Sequence, residues 1–317
     1  MEIKIFMNKS YPFYRVNAFT NYHFSGNPAS VVLLEEAFES AEIYTNIAAE
    51  MSTPETAFIL PISNSSNSFK SYRHEKVFSL RFFMTTNEVK MCGHATLAAA
   101  YVLLNELANI NDFIVFETQS GNITATKLEN GKIALDFPAD NFDKFVPSNE
   151  FLQKIGLTNY VAAAYSDSRN LAIIEVENLS TLQNLVMDFE LLKNHKELNI
   201  KKLALTTNNL DVPIKTNNNN NTVEQKITNQ DTNQVISQNY DFVSRCFCPW
   251  IGINEDALSA ASHTLLAKFW AIKILKTHFK AFQSSKRKGE LEIIMKANQR
   301  MDLIGEGFLS LKGEIML

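Results

Sequence analysis

Three stretches hold the residue types that proton transfer or anion binding requires. In "AAEMSTPETAFIL", Glu55 stands just ahead of an apolar strand pattern; in "NEVKMCGHATLAAAYVLLNEL", Cys92, Gly93 and His94 stand at the mouth of a helix pattern; in "NEDALSAASHTLLAKFWAIKIL", Asp256, Ser259, Ala260 and Ala261 lead into a second helix. A carboxylate flanked by apolar sequence has its charged form disfavoured by desolvation, which moves its pKa toward values useful for acid–base work. The same "STPE" also reads as a helix-capping turn with a solvated glutamate. His94 has an unperturbed pKa near neutrality and suits proton carriage, or it caps its helix. Asp256 is placed to hydrogen-bond a substrate amine or, equally, to cap the second helix.

Two helix starts aimed at one place would offer unpaired backbone N–H groups and positive dipole ends to a small anion such as a carboxylate. Gly93, Ala260 and Ala261 are small enough to let backbone approach a ligand there. Plain helix starts with tight packing would use the same residues.

Metal chemistry has a weak case from spacing. The six histidines are scattered with no His-x-x-x-His pair, and Cys246 and Cys248 are separated by one residue with no second pair to complete a zinc site. Three cysteines are odd in number and too few for a disulfide framework, which points to reduced thiols in a cytoplasmic protein.

The elements that must position these groups follow an α+β pattern with strands in the majority. "IKIFMN", "YPFYRVNAF", "ASVVLLE" and "SLRFFMT" read as strands, "AEIYTNIAAEM" has helical spacing, and "FIVFETQSGNITATKLENGKIALDF" reads as a meander. The second half repeats the plan of the first: a β-like run, a short loop with acidic and small residues, then a helix, "SAASHTLLAKFWAIKIL". Two domains are expected, 1–125 and 126–317, with the last strands returning to the first. Between Thr206 and Tyr240 the chain is nearly all Asn, Gln, Thr and Ser, a composition too poor in apolar surface to offset the entropy of ordering, so it reads as a disordered insertion.

With 317 residues the chain can build two domains and a cleft. Lys plus Arg number 30 against 34 for Asp plus Glu, so no basic excess calls for nucleic acid. No apolar run reaches the length of a membrane span, and "MEIKIFMNKSYPF" lacks the apolar core of a secretion signal, so neither a membrane partner nor export is expected.

Taken in order, "NAFTNYHFSGNPASVVLLE", "IAAEMSTPETAFIL", "SLRFFMTTNEVKMCGHATLAAAYVL", "SRCFCPWIGINEDALSAASH", "AFQSSKRKGELEI" and "LIGEGFLSLKGEI" resemble the phenazine-biosynthesis isomerase-like (PhzF-like) family, especially its eukaryotic members. That resemblance implies the diaminopimelate epimerase-like fold: two pseudo-symmetric strand-rich domains, each wrapped around a central helix, with an active-site cleft between them. It also implies a homodimer, no cofactor, and a small carboxylic-acid substrate. The family's best-defined activity isomerises trans-2,3-dihydro-3-hydroxyanthranilate, a glutamate carrying the proton; by motif that glutamate is Glu55, with His94 and Asp256 as polar site positions.

This chain departs from the family's Asp-x-x-Thr-Gly-Ser run, having Ser259, Ala260 and Ala261, and it has Asn17 where aspartate is usual. Two other functions therefore stand beside the isomerase. One is a catalytically impaired binding or regulatory protein. The other is a cysteine-based racemase with Cys92 as one thiol, which lacks a second cysteine near Ala260 or Ala261.

Overall fold

The computed structural model describes residues 9–62, 71–208 and 239–317. It divides into two compact units, one comprising Met1–Pro138, Leu258–Ala261 and Lys296–Leu317, the other Ala139–Ala257 and Ser262–Met295.

The first unit runs β1 (Ser10–Ala18), β2 (Asn27–Leu33), α1 (Ala41–Met51), β3 (Glu55–Pro61), β4 (Val77–Phe83), β5 (Glu88–Val89), α2 (Gly93–Tyr101), β6 (Phe113–Thr118), β7 (Gly121–Lys127) and β8 (Ile133–Pro138). β1 pairs antiparallel with β2, β2 parallel with β3, β3 antiparallel with β4, β4 parallel with β6, and β6 antiparallel with β7. Each parallel pair needs a crossover, and α1 and α2 supply them.

The second unit runs β9 (Asp143–Lys144), α3 (Asn149–Lys154), β10 (Ala162–Ser166), β11 (Leu171–Glu175), α4 (Leu179–Asn184), α5 (Phe189–Lys193), β12 (Lys202–Thr207), β13 (Phe242–Cys248), β14 (Ile253–Asp256), α6 (Ala260–Ile274), β15 (His278–Gln283) and β16 (Gly289–Met295). Its pairings repeat the first unit's sequence of senses: β10 antiparallel to β11, β11 parallel to β12, β12 antiparallel to β13, β13 parallel to β15, β15 antiparallel to β16. The last two strands, β17 (Arg300–Gly305) and β18 (Gly307–Met316), belong to the first unit, where β17 pairs with β8 and β18 with β1. The sequence-based division at 125/126 falls within β7; the compact unit runs on to Pro138 because β8 is held between β7 and β17.

The repeat extends to side chains. Arg81 on β4 grips Glu88 on β5 through two parallel bonds of 2.7 and 2.8 Å; Arg245 on β13 grips Glu255 on β14 through bonds of 2.7 and 3.1 Å. Each guanidinium also lies 4.9 Å from a phenylalanine ring two residues on, Phe83 and Phe247. The fork-shaped cation thus staples the same short hairpin in both units.

α2 is buried from Gly93 to Ala100 on every side, as expected of an alanine-rich helix enclosed by its sheet, and it packs on β1, β2, β3, β8 and β18. In the second unit α6 plays this part. Trp270 donates to Thr206 on β12 at 3.0 Å, and Ser262 lies 3.2 Å from Cys246 on β13. Thr206 and Thr207 close β12 and are buried, so the ordered strand reaches into what composition assigned to the insertion. The stretch 209–238, most of the expected disordered insertion, lies outside the described residues, as does "IKIFMN". Among the described residues no helix is long and apolar enough to cross a membrane.

Candidate active site

α1 ends at Met51, where Ser52 takes the left-handed conformation that stops the helix, and the chain turns through Thr53 and Pro54 into β3. The Thr53 hydroxyl lies 3.1 Å from both the Ser30 hydroxyl and the Glu55 carbonyl, tying the turn to the neighbouring strand. Because β2 and β3 are parallel, with Ala29 opposite Glu55, both strands begin at one end of the sheet. Asn27 and Glu55 open those two strands. Glu55 is not a solvated cap: its side chain is 14% exposed.

α2 begins beside them. Its N-cap, Cys92, makes no side-chain cap bond, and His94 does not cap either. Instead His94 Nε2 lies 3.1 Å from Glu55 Oε2 with the imidazole 7% exposed. The ring's other nitrogen, Nδ1, lies 3.2 Å from Asn27 Nδ2 and 3.4 Å from Cys92 Sγ. Asn27, fully buried, donates the same amide group to the Leu258 carbonyl at 2.9 Å. One amide therefore fixes the imidazole relative to the chain just ahead of α6.

Burial pushes the Cys92 thiol pKa up, and the Glu55 charge pushes it further, so the sulfur is held as a neutral thiol. Burial opposes the His94 cation; its interactions with Cys92 and with the Glu55 carboxylate, hydrogen bonds included, outweigh that and carry its pKa well above the ordinary histidine value. An imidazole whose protonated form is favoured, 3.1 Å from a carboxylate, is a proton-handling pair with one partner partly open to solvent.

Of the residues named from sequence, Glu55, Cys92, Gly93 and His94 come together in the first unit. Ser259, Ala260 and Ala261 belong to that unit too, through the segment Leu258–Ala261. Ser259 and Ala260 are buried, and a Cβ on Gly93 would lie 2.4 Å from the Ala260 methyl carbon, so glycine at 93 lets these two helix starts touch. Asp256 lies in the second unit, at the end of β14, opposite Cys246; Val89 holds the equivalent place in the first, opposite Phe82. Its carbonyl accepts from Gln283 at 2.7 Å. Asn17, in β1, is buried.

Asn27 and Thr53 were not among the residues picked from sequence. A polar residue opening the otherwise apolar run "NPASVVL" was the available signal for Asn27. Glu55, Cys92 and His94 each place a ligand-type atom within 4.8 Å of the others, a cluster that histidine and cysteine spacing alone does not reveal.

This architecture is the epimerase-like α+β fold: a predicted epimerase from Pseudomonas aeruginosa superposes with a TM-score of 0.65 at 15% identity, covering 96% of this chain and 99% of that one. Residues 16–313 match the family model described as phenazine biosynthesis-like protein, and the chain belongs to that family. A mouse protein named phenazine biosynthesis-like domain-containing protein 1 is 35% identical over 96% of this chain and 98% of its own. An uncharacterized isomerase of Halalkalibacterium halodurans is 33% identical over the same shares. The crystal structure of a PhzF-family protein from Enterococcus faecalis has a TM-score of 0.78 at 29% identity, covering 98% of this chain and all of that one.

Proposed function

We propose that this chain is an isomerase that moves a proton between two positions of a small cyclic or amino carboxylic acid, without a cofactor, using Glu55 as the acid–base group. The observation that carries this reading is the Glu55–His94 pair: a partly accessible carboxylate 3.1 Å from a buried imidazole whose protonated form is favoured. The carboxylate takes a proton as a C–H bond breaks, and the electron pair left behind delocalises into the substrate's unsaturated system. The resulting carboxylic acid then gives that proton to a second carbon of the same molecule. His94 offsets the negative charge that passes between carboxylate and substrate.

In this reading Asp256, Ser259, Ala260 and Ala261 belong to substrate binding, and the enzyme works as a homodimer in the cytoplasm. The relative named an isomerase supports the reaction class. Thiol chemistry has less support, since Cys92 is a buried neutral thiol and Cys246 and Cys248 are buried on β13.

The test is a panel of cyclic and amino carboxylic acids incubated with wild type and Glu55→Gln, with mass-neutral conversion followed by chromatography and by NMR in D2O. Wild type should convert at least one compound. The variant should lose about 10²–10⁴ of that rate, the usual share of a general acid–base group. Equal rates would remove Glu55 from the mechanism.

A further inference from the structure

We propose that the outer edge of β18 is a dimerisation surface, on which a second copy of this chain lays its own β18 antiparallel in a register fixed by Lys312 and Glu314. The inference rests on the homodimer of the reading above and names the surface that forms it; the chemistry at Glu55 is independent of it.

β18 is ten residues long, and among the described residues its ladder runs to β1 alone. Just beyond its end, Lys9 and Leu317 exchange both backbone bonds, at 3.2 and 3.0 Å. In an antiparallel pair, positions that exchange bonds alternate with positions whose N–H and C=O point away from the partner strand. Ser10–Met316, Pro12–Glu314 and Tyr14–Lys312 are therefore the non-bonded pairs of this register. Pro12, which has no N–H to give, fits such a place. The backbone groups of Lys312, Glu314 and Met316 thus face outward from the sheet. Side chains along this edge are open too: Leu311 is 51% exposed and Met316 65%.

An open edge is usually protected by charge or by a bulge, and β18 has both. Ser310 is the extra residue between Leu309, opposite Val16, and Leu311, opposite Arg15. Lys312 is the charge, and against most strands it is a barrier. Against a second β18 it is not, because Glu314 follows two residues on, on the same face.

Two such strands related by a two-fold axis must oppose outward-facing residues to outward-facing residues. Centring the axis on Lys312 sets lysine against lysine, and centring it on Glu314 sets glutamate against glutamate. Centring it on Gly313 sets Lys312 against the partner's Glu314 and Glu314 against the partner's Lys312. Charge therefore selects the Gly313 register. On the other face the same register sets Leu311 against the partner's Ile315, and Ile315 already packs on the cluster around Tyr44 and Phe58. Gly313 meets its counterpart on the axis with no side chain between them. Both charges are available for this: Lys312 Nζ is 4.0 Å from Glu106, a loose pair, and Glu314 has no ion-pair partner among the described residues.

The experiment is sedimentation velocity of the full chain at micromolar concentration, where wild type should be a dimer. Lys312→Glu and Glu314→Lys each turn two attractive pairs into two repulsive ones, so each should raise the dimer dissociation constant at least about tenfold. Mixing the two variants should restore the dimer, because one strand then carries two negative charges and the other two positive. The exchange Lys312→Glu/Glu314→Lys should dimerise with itself. Near-ultraviolet circular dichroism of the single variants should match wild type, since both side chains are on the surface. A dimer that both single variants leave intact, or a mixture that stays monomeric, would overturn the surface and leave the homodimer standing. A monomeric wild type would overturn both, and one that dimerises only after residues 1–8 are removed would assign the edge to that segment instead. None of these measurements reads turnover, so the role of Glu55 is tested apart from them.

Discussion

Gly93 and Ala260 touch so closely that a methyl carbon added to the glycine would lie 2.4 Å from the alanine's own. Neither residue has a flexible tip that could move aside, so the backbone would have to shift. Gly93→Ala should therefore destabilise the protein by about 1–3 kcal/mol, the usual cost of overpacking. Removing the opposing methyl should relieve it: Gly93→Ala/Ala260→Gly should recover most of the loss in denaturant melts. A double variant no more stable than Gly93→Ala would show that the contact is not what requires glycine.

His94 gives a pH-dependent prediction. Its folded pKa is well above the unfolded value of about 6.5, so the folded state holds the proton more tightly than the unfolded chain does. That stabilisation is complete below about pH 6.5 and is lost as pH rises through the folded value. The stability gap between wild type and His94→Gln should therefore be widest near pH 6 and narrow in steps toward pH 9. A gap that widened with pH would mean that the imidazole is neutral in the fold.

Cys92 should be slow to react. With its thiol buried and its pKa raised by burial and by the charge of Glu55, little thiolate exists near neutral pH. Iodoacetamide at pH 7.5 should label native Cys92 far more slowly than the same residue in denaturant. Glu55→Gln, which removes one cause of the upward shift, should speed native labelling. Labelling at the rate of a free thiol would contradict both the burial and the shift.

How much of this was legible beforehand depended on range. α1 was read over "AEIYTNIAAEM" and spans Ala41–Met51, because the turn through Ser52, Thr53 and Pro54 ends it locally. The β6–β8 meander was likewise readable, since its turns lie within the run that carries its strand pattern. Glu55, Cys92 and His94 could be chosen by residue type, but their meeting could not. It depends on the parallel pairing of β2 with β3 and on α2 starting beside them, contacts that local periodicity does not encode. Asn27 was passed over for the same reason, since both its partners, His94 and Leu258, are distant in sequence. Thr206 and Thr207 match the polar tract that follows in residue type, so composition extends the insertion over them. They stay in the strand because Trp270 and the Val243 carbonyl satisfy the Thr206 hydroxyl.

The repeated arginine forks give the last prediction. Both forks are bidentate and partly buried, so each exceeds an ordinary surface pair, but their other duties differ. Arg81 stacks over Tyr44 and Phe83 and pairs its charge with Glu88. Arg245 also donates to the carbonyls of Leu182 and Leu185 at 3.1 and 3.3 Å, where α4 ends. Removing it strands Glu255 and leaves two carbonyls to find other donors. Hydrogen bonds to charged groups contribute about 1.5–3 kcal/mol each. Arg245→Ala should therefore cost more stability than Arg81→Ala. Arg245→Lys should recover little, because an ammonium cannot span Glu255 and the α4 carbonyls at once. Chemical denaturation of the three variants decides it, and an Arg245→Lys variant as stable as wild type would mean that charge alone, not the planar fork, holds the β13–β14 hairpin.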